Sequence, residues 1–479
     1  MSNLEKGQEI TQTEFINDVS QSTIGEGIDQ IAYAETIKSN VEEDAAKDPN
    51  NPKNWSPLKK WTNLSIVAMH AFMGYFSSAI YFPATAIMRV EFDTNVITIN
   101  ATVAIFVLFT GIGPLFWAPL SERIGRRWIY ISAMGMYTVV TIICGISKHI
   151  GMFFTFRILQ AIFACAGQAL GGGSASDMFE SKDRGKAMSF YMFGTVLGPA
   201  IAPMIGGFIT QYLGWRWIFY IKTMIGGVMT IITFLFVKET LYIPPGSLPQ
   251  TDTKQSFFSK IRFNPFGSLG LLLKPHIFLV CLPVSAAFGF FYLLVTILPA
   301  TYYGLYNFST SSVGLAFFAG GVGNTLGSIV AGLVSDRLYF WQIARNNNIR
   351  KIEYRLTPVY FGIPFLLFGG LLYGWLLDFH APSFPPLIGY AMYTFGTMFT
   401  MTIANTYLSE TFPGRAASVV SACNFTRNLL GMMFSLLAAP IRNGLGDGWT
   451  YTMITIFNFA LYFTCIPLVQ IYGRRWRES

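Results

Sequence analysis

From Trp61 to Tyr472 the chain alternates long apolar runs with short polar connectors. A helix needs roughly 20 consecutive apolar residues to cross a hydrocarbon core. Twelve runs of that order occur, at 61–82, 98–118, 128–147, 152–175, 187–211, 215–236, 276–300, 312–334, 356–377, 385–407, 416–439 and 450–472, each ended by charge, proline or a polar cluster. They predict an all-α membrane protein with twelve transmembrane helices and leave no apolar stretch for a second folded core. Residues 1–58 show no apolar period and read as a disordered acidic tail. No basic segment, short apolar stretch and cleavage site occur in order there, so the first span is expected to serve as an uncleaved targeting signal.

Composition supports the same class, with 52% hydrophobic and 12% charged residues, outside the range of soluble domains. The net charge of +8 conceals a split: the tail carries eleven acids against four lysines, which leaves +15 on the membrane part. Lys and Arg alternate between the two faces, 23 on one against four (Arg89, Lys148, Arg216 and Arg442) on the other. The positive-inside rule makes the first face, and both termini, cytoplasmic. The basic excess then belongs to a lipid bilayer and not to nucleic acid. Cys144, Cys165, Cys281, Cys423 and Cys465 fall inside separate spans with no CxxC and no nearby His, so neither a disulfide nor a metal site is expected.

The connector after span 2, "APLSER" from Ala118 to Arg123, returns after span 8 as "GLVSDR" from Gly332 to Arg337. "SKDRGKAMS" before span 5 similarly matches "TFPGRAAS" before span 11. The chain therefore divides into two six-span halves, 59–237 and 276–472, joined by a cytoplasmic linker at 238–275 and followed by a short tail at 473–479. Halves paired in this way place a substrate site between them near the bilayer midplane. In the first connector, Gly125 is free to take positive φ in a tight turn, and Glu122 is positioned to meet arginines or a helix N-terminus.

A charge at mid-span costs about 2.5–3.5 kcal/mol on insertion scales, so it is kept where it meets a partner or a wet cavity. Three cations stand there: Arg157, Lys222 and Arg427. Arg157 shares a helical face with Gln160 and Gln168, and Arg427 stands beside Asn424 and Asn428; each suits a cavity or a structural pairing. Lys222 either faces the cavity or snorkels to the outer interface. Span 1 carries Asn63, His70, Ser77, Ser78 and Tyr81 near one stripe. His70 is either a proton carrier or a hydrogen-bonded packing residue. Tyr292 either stacks on substrate or packs. In span 5, Gly194, Gly198 and Gly206 recur at fourfold spacing with Ala202 and permit close helix approach, while Pro199 and Pro203 bend the helix. After the tail every acid lies in a loop or at a span end, with Asp177 nearest to a cavity. Charge matching then favours anionic or neutral amphipathic cargo over polyamines.

Taken together, these stretches resemble the major facilitator superfamily. "APLSE" and "GRR" around Glu122 resemble the loop between spans 2 and 3 of that family; "RILQAIFACAGQA" from Arg157 resembles its span 4 motif, with Ala161 where Gly is usual; "GTVLGPAIAPMIGG", ending at Gly207, resembles the span 5 motif of proton-driven antiporters. "SAIYFPA" and "NFTRNLLG" look most like the fungal quinidine-resistance and weak-acid-resistance branch of twelve-span drug:proton antiporters. The resemblance implies the major facilitator fold, two pseudo-symmetric six-helix bundles. It implies a conformational latch between the halves built from Glu122, Arg123, Gly125, Arg126 and Arg127, repeated by Asp336 and Arg337, worth about 1–3 kcal/mol. It implies export of drugs or weak organic acids in exchange for protons, with His70 or Asp177 as proton carrier, by a monomer in the plasma membrane, the vacuolar membrane being the alternative. Proton-independent uniport and polyamine export are the competing functions. A sensor or a membrane enzyme fits less well: the C-terminal tail is short, and no GxxxxGK[ST], HExxH or GxSxG occurs. No cofactor is expected.

Overall fold

The computed structural model describes residues 48–49, 51–242, 269–347, 350–411 and 416–478. The expected acidic tail before Asp48, most of the linker and the turn "FPGR" before span 11 lie outside the described residues. All regular structure among the described residues is helical. The first six spans are α1 (Pro57–Ala79), α2 (Val96–Ile124), α3 (Arg126–Gly145), α4 (Ile150–Met178), α5 (Ser181–Leu213) and α6 (Arg216–Phe236). The second six are α7 (Pro275–Tyr306), α8 (Thr310–Arg345), α9 (Val359–Asp378), α10 (Phe384–Thr411) and the pair α11 (416–445) and α12 (447–478).

Several helices outrun the apolar runs that announce them. α8 continues for 36 residues, through Asp336 and Arg337 to Arg345. Hydropathy marks where a helix leaves the hydrocarbon, whereas backbone hydrogen bonding continues into the polar region beyond it. α10 is the least obviously apolar span because its buried face is rich in threonine. Those hydroxyls bond carbonyls of their own turns, Thr397 to Tyr393 at 2.9 Å and Thr402 to Met398 at 2.8 Å, so they enter the bundle already satisfied. α11 and α12 run almost end to end, broken at Gly446 with φ 76°. Arg442 bridges the break with two bonds to Asp447, at 2.7 and 2.9 Å.

The halves meet along two seams. α5 packs on α8, and α2 packs on α11. At the second seam Gly111 of α2 faces Asn428 of α11, where a β-carbon would come within 3.2 Å of the amide carbon.

Candidate functional site

The basic loops define one end of the molecule, and there each half ties its own helices together. Gly125, at φ 102°, turns the chain from α2 into α3. Arg126 donates from Nε to Asp177 of α4 at 2.6 Å. The N-terminus of α3 is capped from a distance, since the Glu239 carboxylate accepts the backbone N–H of Arg126 at 2.9 Å and of Arg127 at 3.1 Å. An anion at that position satisfies orphan amides and meets the helix dipole. Glu122, expected to meet an arginine or a helix N-terminus, is exposed instead, and Asp177 and Glu239 take those two roles. Arg127 reaches the Phe234 carbonyl at 3.0 Å, and Arg123 stays exposed.

The second half repeats this scheme with altered residues. Arg355, ahead of α9, bonds Asp336 of α8 at 2.5 Å and Glu410 of α10 at 2.9 Å, with its guanidinium 4.0 Å above the Tyr339 ring. Arg337 itself is exposed. In the last turn of α12, Arg477 pairs with Glu353 at 2.6 Å. That pair occupies the place of the Glu239 cap with the charges reversed. Each of these ion pairs stays inside one half, so the basic end carries no bridge between halves among them.

The opposite end is closed. Gln211, late in α5, accepts the backbone N–H of Ser311 in the first turn of α8 at 2.9 Å. Gly207 backs directly on that turn, and a β-carbon there would meet the Thr310 carbonyl oxygen at 2.7 Å and the Gly314 Cα at 3.0 Å. Pro203 sits against Gly314 in the same seam. Phe82 packs on Phe317 with centroids 5.9 Å apart. Gly194, Gly198 and Gly206 face the other way, onto α1, where a β-carbon on Gly206 would overlap the Ile80 carbonyl oxygen. The span 5 motif thus splits between packing inside its half and the seam, and the helix runs unbroken through Pro199.

Between these ends a polar and aromatic group spans both halves. Arg427 bonds Asn424, whose side-chain oxygen also accepts from Asn428 at 3.1 Å; its second amino group points at the Met401 sulfur, 3.2 Å away. The Phe288 ring lies 4.8 Å from its guanidinium carbon and 5.0 Å from the Tyr292 ring. From the first half Tyr75 lies within electrostatic reach of Arg427, and Ser78 lies beside the Tyr292 hydroxyl. Gln168 lies over Gly74 beside them. Tyr75, Gln168, Phe288, Tyr292 and Asn424 are half-buried, so this group presents side chains to open space.

Arg157 and Lys222 stand apart from it. Arg157 is fully enclosed, with Tyr81 and Phe106 each 4.1 Å from its guanidinium carbon. It donates to Gln160 at 2.6 Å, and Gln160 in turn donates to Thr141 at 2.7 Å. Lys222 is also fully enclosed, 4.2 Å from the Phe219 ring centroid, which corrects the snorkelling alternative: its ammonium points into the bundle. His70 is buried between α1 and α6, with Nε2 2.7 Å from the Thr233 hydroxyl. That hydroxyl already donates to the Met229 carbonyl at 2.6 Å, so it accepts from the imidazole. This is the geometry of a packing residue. Cys281 of α7 and Cys423 of α11 are neighbours across the two helices, both as free thiols.

Arg355, Glu353, Glu410, Glu239 and Arg477 were not singled out by sequence reasoning. The only available signal was their place just beyond span ends, since Glu239 lies 113 residues from the amide it caps.

Two helical bundles, packed on one another along two seams around a polar interior group, have the architecture of a membrane transporter. Comparison with known proteins agrees. Residues 67–436 match the model of the Major Facilitator Superfamily, and the chain belongs to that family. It is 32% identical over 447 residues to the MFS-type transporter hepF of Aspergillus oryzae, covering 89% of this chain and 91% of that protein. The efflux pump radE of Floropilus chiversii is 31% identical over 91% of this chain and 85% of its own length. Among solved structures, a D-xylose-proton symporter superposes with a TM-score of 0.64 at 16% identity, over 85% of this chain and 98% of its own. A bacterial homologue of the human lysosomal transporter Spinster, inward-facing and unoccupied, gives 0.59 at 15% identity, over 88% of this chain and 99% of its own.

Proposed function

We propose that this transporter exports small amphipathic organic compounds, weak organic acids or neutral drug-like molecules, in exchange for protons by alternating access. The observation that carries the substrate class is the central group: a cation, Arg427, two asparagines and aromatic rings, with no carboxylate among the described residues facing it. An anionic or hydroxyl-bearing head meets Arg427 and Asn424, and an apolar body lies on Phe288, Tyr292 and Tyr75. An organic cation would enter a site already positive. The relative radE, named an efflux pump, supports the outward direction.

The basic face is cytoplasmic under this reading, with both termini on it, and the sealed α5–α8 seam makes the described state inward-facing. The Glu122 loop and its Asp336 counterpart act as latches when the halves close over the basic end. Of the two candidate proton carriers, Asp177 fits better than His70. Asp177 lies at the basic mouth with a side chain 24% exposed, where water can reach it, whereas His70 is enclosed. The protein works as a monomer within the drug:proton antiporter branch, in the plasma membrane in preference to the vacuolar membrane.

Cells producing the protein, compared with cells producing Arg427→Met, test the substrate class with octanoate-like acids and spermine. Resistance to the acid that disappears with the substitution is expected. Strong spermine export, or acid export untouched by Arg427→Met, contradicts the reading. A proton-independent uniporter is the second reading, favoured by the lack of a carboxylate in the described interior between the two ends.

A further inference from the structure

Arg157 and Lys222 bring two cations into the first bundle, and neither has a counter-ion among the described residues. Both side chains are completely shielded from solvent. They stand close enough for their charges to act on one another, and Cys144 lies near both. Arg157 spends one amino group on Gln160, while its Nε and its second amino group have no acceptor; neither has the Lys222 ammonium. Gln160 cannot turn to serve them because its own amide is engaged with Thr141. The rings of Tyr81 and Phe106 cover the faces of the guanidinium and leave its N–H edge unanswered. The Tyr81 hydroxyl lies beside Arg157 and Thr102. The remaining titratable neighbours are Tyr137 and the Cys144 thiol.

A buried charge left without a partner costs several kcal/mol, more than a ring face returns, which is at best about 2 kcal/mol. The Lys222 ammonium and two donor groups of Arg157 thus stand buried within electrostatic reach of one another, with no acceptor among the described residues. We infer that the first bundle binds a small monovalent inorganic anion, of chloride size, between Arg157 and Lys222, in a site separate from the substrate group around Arg427. Enclosure by Tyr81, Phe106 and Phe219 excludes an amphipathic body, so the substrate's own head is not the occupant. The Born cost of dehydration rises steeply with charge, which disfavours a divalent oxyanion in so dry a place. The bound anion offsets the repulsion between the two cations and holds α3, α4 and α6 together at that level. This inference does not depend on what the central group transports.

Radioactive chloride binding to the purified full-length protein in detergent tests it, together with thermal unfolding in sodium chloride against sodium gluconate. Saturable binding is expected, displaced by bromide but not by sulfate, with a higher Tm in chloride than in gluconate. Lys222→Met weakens chloride binding by at least about tenfold and removes the difference between the salts, while Arg427→Met keeps both. Absence of saturable binding to the wild-type protein overturns the inference, as does displacement by sulfate equal to that by bromide. Binding that survives Lys222→Met and disappears with Arg427→Met overturns it too, by moving the anion to the substrate group. Should Lys222→Met fail to fold, the wild-type halide competition and salt comparison decide alone.

Discussion

Gln211 of α5 caps Ser311 of α8, its side-chain oxygen 2.9 Å from the Ser311 amide nitrogen. The first four amides of a helix have no partner within it, and here one is satisfied by the opposite half of the molecule. A helix cap thereby forms part of the seam between the two halves.

Gln211→Leu leaves that amide without its partner in this state alone. A loss of about 1 kcal/mol shifts the balance between states about fivefold. With a cysteine in place of Gln168 as reporter, labelling by an impermeant thiol reagent from the sealed face is expected to rise by about that factor. An unchanged labelling rate would show that the cap does not hold the seam.

Gly207→Val tests the same seam by bulk. The added carbons meet the backbone of α8 at the Thr310 carbonyl and Gly314, neither of which can turn aside. Overpacking of this kind costs about 1–3 kcal/mol, so transport is expected to fall about tenfold with the protein still folded. Gly185→Ala, where a β-carbon meets nothing within 4 Å, serves as control and keeps wild-type transport.

Asp177→Asn removes the charge opposite Arg126. The pair is partly exposed, so the cost to stability is about 1–2 kcal/mol, below that of a fully buried pair. The double variant with Arg126→Gln is expected to be less destabilised than the sum of the single ones, read from Tm. Simple additivity would mean that the two side chains do not act on one another.

His70→Asn separates the two candidate proton carriers. Because the imidazole is engaged with Thr233 inside the bundle, its loss is expected to lower Tm while leaving proton-driven transport in place. Loss of the drive with substrate counterflow intact would reinstate His70 as carrier.

The architecture was legible in the sequence because length and apolarity are one-dimensional properties: a run long enough to cross a bilayer declares itself without its neighbours. The repeated "SER" and "SDR" connectors disclosed the two halves for the same reason. Ion pairing was not legible. Glu122 stands beside the arginines in sequence, yet Arg126 pairs with Asp177, 51 residues on, because the turn at Gly125 sends its side chain toward the end of α4. The three mid-span cations also look alike as letters. Only packing separates Arg427, at a half-buried group shared by the halves, from Arg157 and Lys222, enclosed within one half. The adjacency of Cys281 and Cys423 is likewise a product of α7 lying on α11, invisible to spacing.

Proton exchange is tested most directly by purified protein in liposomes with an imposed pH gradient and a labelled octanoate-like acid, whose passive permeation is subtracted with protein-free vesicles. Protein-dependent accumulation against the acid's own gradient, reversed when the pH gradient is reversed and abolished by a protonophore, is the expected result. Equilibration that is protein-dependent yet indifferent to the gradient would contradict antiport and leave uniport.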